Sequence, residues 1–480
     1  MESPVRHKSV PPRSGHRPSS ARSAATRDAR VLLLTGSPAH YMAPPRLGTE
    51  QITGGPDWKD QQDEAGRFTT MATPVGQYDV APLLARLPPE QQPEVLVCLV
   101  DASRRNLPRN VGAFRGPKVL LVADTHHLTT PISTMVRYAA SETYDRLVFL
   151  YDRHHAAIFH AAGFRNLFWF PGLTFPHDDA FVRQSRSVEG RVPQVAFVGQ
   201  AGRLHPRRAR LLEALQGAGL PLAQQALGQR DALPFYGASL FGFNSSLNGD
   251  LNLRVFEILA SGALLLTDRL APASGLSLFL QDGRDCLMYD DERELVEKAK
   301  ACLAQPAESS RIAAAGARWF LESFGEERRR ALFGALAFDG KAPPLFPLPA
   351  AELDTLRFRD QLDLQANVLV YEGIQELHRI QPDVRVVVDG AAPPAVTQLF
   401  ATLPRVYVRP EIGEDRADLI VTGAQQAPAA AHSRATHVWC WDAARAQLPE
   451  LTALFTATGY AAATPQLAFY SLRPAAGAAA

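Results

Sequence analysis

The feature that most constrains the fold is a repeated alternation of short, continuous apolar runs with segments of helical pattern. In the first part of the chain these runs lie at 31–36, 95–100, 119–123 and 147–151. Continuous apolar runs bounded by polar residues are typical of parallel strands that are buried on both faces. Parallel strands need a crossover connection, which is usually a helix. We therefore expect an α/β protein built on parallel sheets.

The alternation occurs in three successive series, which indicates three α/β domains in the 480-residue chain. Stretches of polar, Gly-rich or Pro-rich sequence separate the series and include an expected long loop at 41–75 and a polar link at 177–192. We predict these divisions: a disordered basic tail at 1–29, a Rossmann-like domain at 30–180, a second at 190–338, a Pro-rich linker at 339–351 and a third α/β domain at 352–480.

Charge and composition exclude several classes of protein. Fifty Lys and Arg residues oppose 49 Asp and Glu residues, so no overall field attracts nucleic acid or an anionic membrane. No stretch approaches the roughly 20 continuous apolar residues of a membrane span, and the tail has no apolar region typical of a secretory signal. The four cysteines lie far apart and form no disulfide framework. We expect a cytoplasmic protein that binds neither nucleic acid nor membrane.

Asn244–Asp268 is the most informative stretch for function. A polar loop leads into a helix that carries Arg254 and Glu257, and an apolar strand follows. Ligands of open α/β sheets bind beyond the carboxyl ends of the strands, where helix N-termini suit a diphosphate. Glu257 lies among apolar residues and needs a defined partner. A ribose diol and Arg254 are both suitable, and spacing alone does not choose between them.

A second stretch places a glycine turn after a strand. Gly199 ends the run 195–199, and Arg203 follows it. Glycine allows the backbone to approach a phosphate, and an arginine can hold a diphosphate with two parallel hydrogen bonds. Three more arginines open the next helix, where we expect a solvated face: Arg207, Arg208 and Arg210.

In the first domain, Asp124, His126 and His127 follow the strand at 119–123. An Asp–His pair at this edge could act as a general base that removes a proton from a bound substrate. Alternatively, Asp124 caps a helix and the histidines are structural. His154 and His155 are adjacent rather than four residues apart, so we expect no metal site.

Four stretches resemble the donor half of bacterial GT-B glycosyltransferases of the group-1 branch, which includes CgeB-like spore-maturation proteins. They are FVGQAGRLHPRRARLLEAL (197–215), FYGASLFGFNSS with LNLRVFEILASGALLLTD (235–268), FLQDGRDCLMYDDERELVEKAKACL (279–303) and RIAAAGARWFLESFGEERRRALF (311–333). With a looser match in the first domain, the resemblance covers about 30–338. It implies two Rossmann-like domains facing a cleft.

The resemblance also implies roles for individual residues. The Asp–His pair of the first domain would remove the acceptor proton in an inverting reaction, or a His would bond the sugar in a retaining one. Glu257 would bind the donor ribose, and Gly199 and Arg203 would assist the diphosphate. The loop and helix start would bind sugar and diphosphate through Asn244, Asn248, Asp250, Asn252 and Arg254. Many retaining relatives carry a second Glu where this chain has Gly249, and Asp250 beside it is a possible substitute. No metal or other cofactor is required.

The third domain resembles a degenerate class I methyltransferase fold, with its first strand at 384–388 and a terminal helix and strand within LTALFTATGY and LAFYSL. The turn after the first strand lacks the glycines that admit a cofactor, and Pro393 and Pro394 remove two N–H groups. We therefore do not expect S-adenosylmethionine to bind.

These observations predict an enzyme that transfers a sugar from a nucleotide diphosphate sugar to an unidentified acceptor. Two alternatives remain open. One is a non-catalytic GT-B-like protein in cell-surface or spore assembly, which the Gly249 departure favours. The other is a bifunctional glycosyltransferase and methyltransferase.

Overall fold

The structure is a computed structural model that describes most of the first two domains and parts of the third. The described ranges are 29–38, 42–125, 131–186, 190–202, 205–247, 249–353, 384–390, 406–409, 417–423, 435–440, 455–463 and 468–474, with positions 374, 377, 392, 397 and 400.

The first domain is built on an eight-stranded sheet. Its strands are β1 Arg30–Thr35, β2 Glu50–Gly55, β3 Gln61–Gln62, β4 Phe68–Ala72, β6 Val95–Val100, β8 Lys118–Val122, β9 Arg146–Phe149 and β10 Leu167–Trp169. The order is β10-β9-β8-β6-β1-β2-β4-β3, and all pairs are parallel except β3 with β4. The strands β5 Gly76–Asp79 and β7 Asn106–Arg109 form a separate parallel pair.

Helices surround this sheet: α1 Ala81–Ala85, α2 Pro131–Ser141, α3 Ala156–Ala161 and α4 Asp179–Ser185. The strand β6 is buried along its whole length, as its continuous apolar sequence predicts. Helix α4 lies inside the expected polar link at 177–192, so that prediction is wrong there. The Asp178 carboxylate caps α4 by accepting from the Phe181 N–H at 2.7 Å.

The prediction of a long loop at 41–75 is also wrong, because this segment contains β2, β3 and β4. The strand β2 lacks the apolar pattern typical of a strand because it contains two glycines. A Cβ at Gly55 would lie 2.1 Å from the Thr35 carbonyl oxygen, and one at Gly54 would lie 2.9 Å from the Leu34 side chain. The glycines therefore allow β2 to approach β1 closely, while they remove the apolar side chains that signal a strand.

The second domain alternates strands and helices around a parallel five-stranded sheet of order β12-β11-β13-β14-β15. The strands are β11 Val192–Val198, β12 Leu222–Gln225, β13 Ser239–Phe243, β14 Leu264–Asp268 and β15 Leu287–Tyr289. The helices are α5 Pro206–Gly217, α6 Gln229–Gly237, α7 Leu253–Ser261, α8 Glu292–Ala304, α9 Pro306–Phe324 and α10 Glu326–Asp339.

The sequence predictions for this domain are largely confirmed. As predicted, a helix (α7) carries Arg254 and Glu257, and an apolar strand (β14) follows it. Gly325 separates α9 from α10. The strands β12 and β15 and the helix α6 have weak signals in the sequence. β12 is half polar, β15 has three residues, and α6 contains Pro234. Each signal is too short or too mixed to stand out.

In the third domain, α11 Ala350–Leu353 precedes a six-stranded sheet. The strands are β16 Val384–Val388, β17 Val406–Arg409, β18 Ala417–Thr422, β19 Ala435–Cys440, β20 Phe455–Ala463 and β21 Ala468–Pro474, in the order β17-β16-β18-β19-β21-β20. β21 runs antiparallel to both of its neighbours. A terminal helix was expected to include 455–460, but these residues belong to β20 and pair with β21. The α/β fold class with three parallel-rich sheets is confirmed.

Residues 339–351 connect the second and third domains, but they also join the core. Phe346 is fully buried, and it contacts an aromatic cluster formed with Trp169, Phe170, Phe279 and Phe324. Its ring centroid lies 5.4–5.8 Å from those of the four partners. Trp169 and Phe170 belong to the first domain, and Phe279 and Phe324 to the second. The aromatic cluster therefore holds both domains and the connecting segment together.

The third domain shares a hydrophobic cluster with the first. Ile132 of α2 and Ile158 of α3 are fully buried and pack in one cluster with Val384, Val386 and Trp439 of the third sheet. Burying this apolar surface favours a fixed arrangement over a freely tethered one. In the described part of the chain, no helix combines the length and the apolar character needed to cross a bilayer.

Candidate active site

The candidate site lies where the carboxyl edges of the first two sheets meet. Asp124 follows β8, Tyr151 follows β9, and the loop 244–252 follows β13. The Leu251 N–H of that loop donates to the Tyr151 carbonyl oxygen at 3.0 Å. The two edges thus face each other in direct contact, and a ligand on one domain would lie close to the other.

The charges of acidic residues from both domains act on the Tyr151 phenol, whose hydroxyl lies 3.4 Å from Thr174 Oγ1. Burial raises the pKa of this phenol, and the nearby charges of Asp124, Glu257 and Asp250 raise it further. The sequence singled out these three acidic residues in two stretches, and in the structure all three lie near enough to Tyr151 to raise the pKa of its phenol. The site is therefore acidic on this side.

Glu257 projects from α7 and is only partly exposed. Burial raises the pKa of its carboxyl to about 7, although the positive charge of Arg254 opposes the shift. Within the described residues, its carboxylate makes no hydrogen bond or ion pair with a protein group. A carboxyl in this condition is costly to ionise and is suited to accept hydrogen bonds from a ligand.

Arg254 does not form the surface ion pair with Glu257 that the spacing also allowed. Its Nε donates to the Val198 carbonyl at 3.0 Å, and its Nη1 donates to Asn244 Oδ1 at 3.0 Å. Its guanidinium also lies 4.9 Å from the centre of the Phe197 ring. These contacts hold the Arg254 side chain across the end of β11.

Asn244 is buried and supports this arrangement. Its Nδ2 donates to Thr267 Oγ1 at 2.9 Å, so both ends of its amide are bonded inside the protein. Asn244 therefore orients Arg254. Gly199 is close to the same guanidinium, because a Cβ on it would lie 2.7 Å from Arg254 Nη2, and its φ of +140° favours glycine.

Two residues at the loop end have different roles. Asp250 is buried, and its Oδ1 accepts the Leu247 N–H at 2.6 Å, which closes the loop. Asn252 precedes α7, but its side chain does not cap the helix. Both polar atoms of the Asn252 amide are buried and make no hydrogen bond in the described part of the chain. Arg203 and Asn248 lie outside the described residues.

We expected Arg207, Arg208 and Arg210 to form a solvated helix face. This prediction is wrong for Arg207 and Arg208. Arg207 and Arg208 are 6% and 9% exposed, and Arg210 alone of the three is exposed. The first turn of α5 lies against the carboxyl edge of the sheet, because it follows β11 directly. Sequence periodicity does not reveal this burial, since the partners come from distant segments.

Arg207 and Arg208 have separate partners. Arg207 Nη1 lies 2.8 Å from Asp268 Oδ2, and Asp268 also accepts from Ser246. Burial acts to raise the Asp268 pKa, but Arg207 and Ser246 outweigh it and lower the pKa. Arg208 donates to the carbonyls of residues 200 and 245. Burial, with Arg254 nearby, lowers its pKa to about 9.

A buried hydrogen-bond relay lies at the first-domain edge. Thr125 Oγ1 lies 2.7 Å from Asp152 Oδ2 and 2.7 Å from His155 Nδ1. Because a carboxylate can only accept, the Thr125 hydroxyl donates to Asp152 and accepts from a protonated His155 Nδ1. Thr125 and Asp152 were not predicted as site residues, although each follows a buried strand at the same edge. His126 and His127 lie outside the described residues.

One group in the described part of the chain has the spacing to hold a metal ion. Asp152, His154 and His155 each place a ligand atom within 4.8 Å of the others. The Thr125 hydroxyl already bonds Asp152 and His155, so the relay accounts for their closeness without an ion. The absence of a metal requirement stays a prediction.

Several solved structures are similar to this chain at low identity. Anabaena HepE, solved with UDP-glucose, is 12% identical with a TM-score of 0.43, and the match covers 64% of this chain and 98% of that one. Sucrose-phosphate synthase of Thermosynechococcus elongatus is 12% identical with a TM-score of 0.44, covering 64% and 97%. TarM of S. aureus is 8% identical with a TM-score of 0.37, covering 48% and 52%.

Among curated proteins, no significant match was found. A family model does match the second domain, from the end of β11 into α10. Residues 197–333, which include Gly199, Arg254 and Glu257, match the family described as Glycosyl transferase-like.

Proposed function

We propose that this chain is a GT-B-like glycosyltransferase that takes a sugar from a nucleotide diphosphate sugar. The observation that carries the proposal is Glu257. It combines a raised pKa with a partly buried carboxyl, lacks a protein partner among the described residues, and lies inside the family match. A carboxylate can accept both hydroxyl protons of a ribose diol, which would supply the missing partner.

The diphosphate would lie beside Glu257 at the start of α7. The first N–H groups of a helix have no partner within the helix and favour negative charge. The unbonded amide of Asn252 is at the same end, and Arg254 adds a positive charge held in place by Asn244. These groups would stabilise the leaving diphosphate as charge develops on it, without a metal ion.

The acceptor would bind on the first domain, across the contact between Tyr151 and Leu251. Asp124 lies there and could take part in proton transfer, and His126 and His127 remain candidates for the base. A base at this edge would act on an acceptor hydroxyl that faces the sugar.

A binding screen tests the proposal. UDP-, GDP-, dTDP- and CMP-sugars are added separately, and thermal unfolding is recorded. A ligand at 100 times its Kd stabilises the folded protein by about 2.7 kcal/mol. We expect one nucleotide to stabilise the chain, and Glu257→Ala to weaken its binding at least tenfold. The matched control is Glu297→Ala, because Glu297 is 59% exposed on α8 and pairs with Arg293.

The screen also separates the proposal from a non-catalytic GT-B-like shell. Gly249 favours the shell, because this glycine stands where many retaining relatives carry a Glu, and its φ of +79° disfavours other residues. No stabilisation by any of the four nucleotide sugars would support the shell and overturn the proposed transferase. Stabilisation that Glu257→Ala leaves unchanged would place the nucleotide elsewhere.

For the third domain, we propose a methyltransferase-like fold without S-adenosylmethionine chemistry. The parallel strands with a reversed β21 next to the edge support the likeness. Adding S-adenosylmethionine should leave thermal unfolding unchanged, and stabilisation by it would favour the bifunctional alternative. We also propose a cytoplasmic location, which the buried thiols of Cys98, Cys286 and Cys302 support, because none of these three forms a disulfide.

A further inference from the structure

Arg153 is a buried charge at the junction of all three domains. It lies in the short turn after β9, next to Asp152, and is only 2% exposed. A guanidinium in such a position is stable only where several acceptors replace the water it has lost. The groups that accept hydrogen bonds from the Arg153 guanidinium therefore show which segments this residue connects.

Those acceptors come from beyond the first domain. Arg153 Nη1 donates to the Ala273 carbonyl of the second domain at 3.1 Å. Its Nε and Nη2 donate to the Pro347 carbonyl of the connecting segment at 3.3 and 3.0 Å. Nη1 also forms an ion pair with Glu352 of α11, at the start of the third domain. Arg153 thus bonds the second domain, the connecting segment and α11 at once.

The packing around Arg153 is close enough to transmit a displacement. Its Cζ lies 5.1 Å from the centre of the Trp169 ring, within the range of a cation–π contact. On the other side, a Cβ at Gly275 would lie 2.4 Å from Trp169 and 2.7 Å from Arg153 Cδ. The backbone of the turn 272–275 is therefore pressed directly against both side chains.

That turn is adjacent to the candidate donor loop. A Cβ at Gly249 would lie 3.6 Å from Ser274 Oγ, so the loop 244–252 and the turn 272–275 are neighbours. Two residues before Arg153, the Tyr151 carbonyl accepts from Leu251 of the same loop. The short segment 151–153 thus contacts both loops at the carboxyl edge of the second sheet.

We propose that Arg153 is a positioning residue that fixes the two faces of the cleft and couples them to the third domain. Its bond to Ala273 holds the turn beside the donor loop, and its bonds to Pro347 and Glu352 tie that turn to the connecting segment and α11. The effect on donor binding rests on the proposed function. The effect on the arrangement of the loops does not.

Hydrogen exchange of the full-length chain tests the arrangement. In Arg153→Met, which keeps the apolar stem and removes the charge, we expect amides at 249–253 and 271–276 to exchange at least tenfold faster. Arg153→Lys keeps the charge but loses the fork, so it should restore part of the protection. The control Arg293→Met removes an exposed arginine of α8 and should change neither segment.

Two results of the hydrogen-exchange experiment would contradict the proposed role of Arg153. Unchanged exchange at 249–253 and 271–276 in both Arg153 variants would overturn the positioning role. An equal increase in β1 and β13 would do the same, because Arg153 would then only stabilise the whole fold. If Arg153→Met does not fold, Arg153→Lys carries the test.

A donor-binding measurement adds a second readout. For the nucleotide sugar found in the thermal screen, Kd should rise at least fivefold in Arg153→Met and less in Arg153→Lys. An unchanged Kd in a variant with faster exchange would overturn the link to donor binding. If the wild-type chain binds no nucleotide sugar, the proposed function fails, and hydrogen exchange still decides the role of Arg153.

Discussion

The ionisation of Glu257 should make the empty protein less stable, and replacing it with glutamine should relieve this cost. The pKa of its carboxyl is about 7 in the folded protein and 4.5 in a free carboxyl of the same type. The folded state therefore binds the proton more tightly than the unfolded state. The contribution of Glu257 to the free energy of unfolding is therefore fully present below pH 4.5 and is lost as the pH rises through 7.

The size of the effect follows from these two pKa values. The two pKa values differ by about 2.5 (7 minus 4.5), and each factor of ten in proton affinity is worth about 1.4 kcal/mol, so the cost above pH 7 has an upper limit of about 3 kcal/mol. Because the carboxyl keeps some contact with solvent, we expect about 1–3 kcal/mol. Glu257→Gln is neutral at every pH, so its advantage over the wild type should appear only as the pH rises.

Thermal unfolding of both proteins at pH 5 and pH 8, without nucleotide, measures this. A domain of 150–250 residues shifts its Tm by about 2–4 °C per kcal/mol. We expect Glu257→Gln to unfold several degrees above the wild type at pH 8 and much closer to it at pH 5. If the difference in Tm were the same at both pH values, the carboxyl would be ionised normally, and the reasoning would be refuted.

The ionisation of Glu257 lowers the stability of the empty protein, but it should raise the affinity for the nucleotide sugar. Only the ionised Glu257 can accept both ribose hydroxyls, and with a pKa of about 7 its ionised fraction rises about tenfold between pH 6 and pH 8. The affinity of the wild type for its nucleotide sugar should rise by up to that factor. In Glu257→Gln the affinity should be at least tenfold lower and independent of pH in this range.

Three further predictions concern the buried contacts. Asp268→Asn leaves a buried arginine without its counter-charge and should cost about 3–5 kcal/mol in urea unfolding, whereas Asp290→Asn, at a 53% exposed carboxyl, should cost little. Phe346→Ala empties the centre of the aromatic cluster and should cost about 3–5 kcal/mol, seen as a lower Tm. Removing 354–480 exposes Ile132 and Ile158, so the shortened chain should bind a hydrophobic dye or aggregate, and a soluble monomer that binds no dye would contradict this.

The regular elements were predictable where the local signal was long and consistent. Helix α7 carries apolar residues on a consistent face and ends at Gly262, which has the left-handed φ of +77° common after helices. The strand β2 gave no such signal, because Gly54 and Gly55 are there for close packing against β1. Its strand character depends on a neighbouring strand, which local sequence does not specify.

The residues of the candidate site also divide into those that local sequence predicts and those that it does not. Glu257 was conspicuous because a carboxylate among apolar helix residues violates the ordinary pattern, and such violations often mark function. Arg207 and Arg208 follow the ordinary pattern for an exposed helix start, yet both are buried. Their partners are Asp268, Gln200 and Ser245, and only the folded sheet brings these groups to the same edge.

The boundaries between the domains were read from composition, but composition does not determine how firmly the domains hold together. Prolines around Phe346 favour an extended, stiff segment, but the Phe346 N–H donates to the Pro343 carbonyl at 3.0 Å, so the segment turns at this point. The burial of Phe346 depends instead on Trp169 and Phe324, which precede it by 177 and 22 positions in the sequence. Arg153 extends the same connection to Ala273 and Glu352. The position of the donor loop therefore depends on contacts contributed by all three domains, so the connecting segment belongs to the machinery of the cleft.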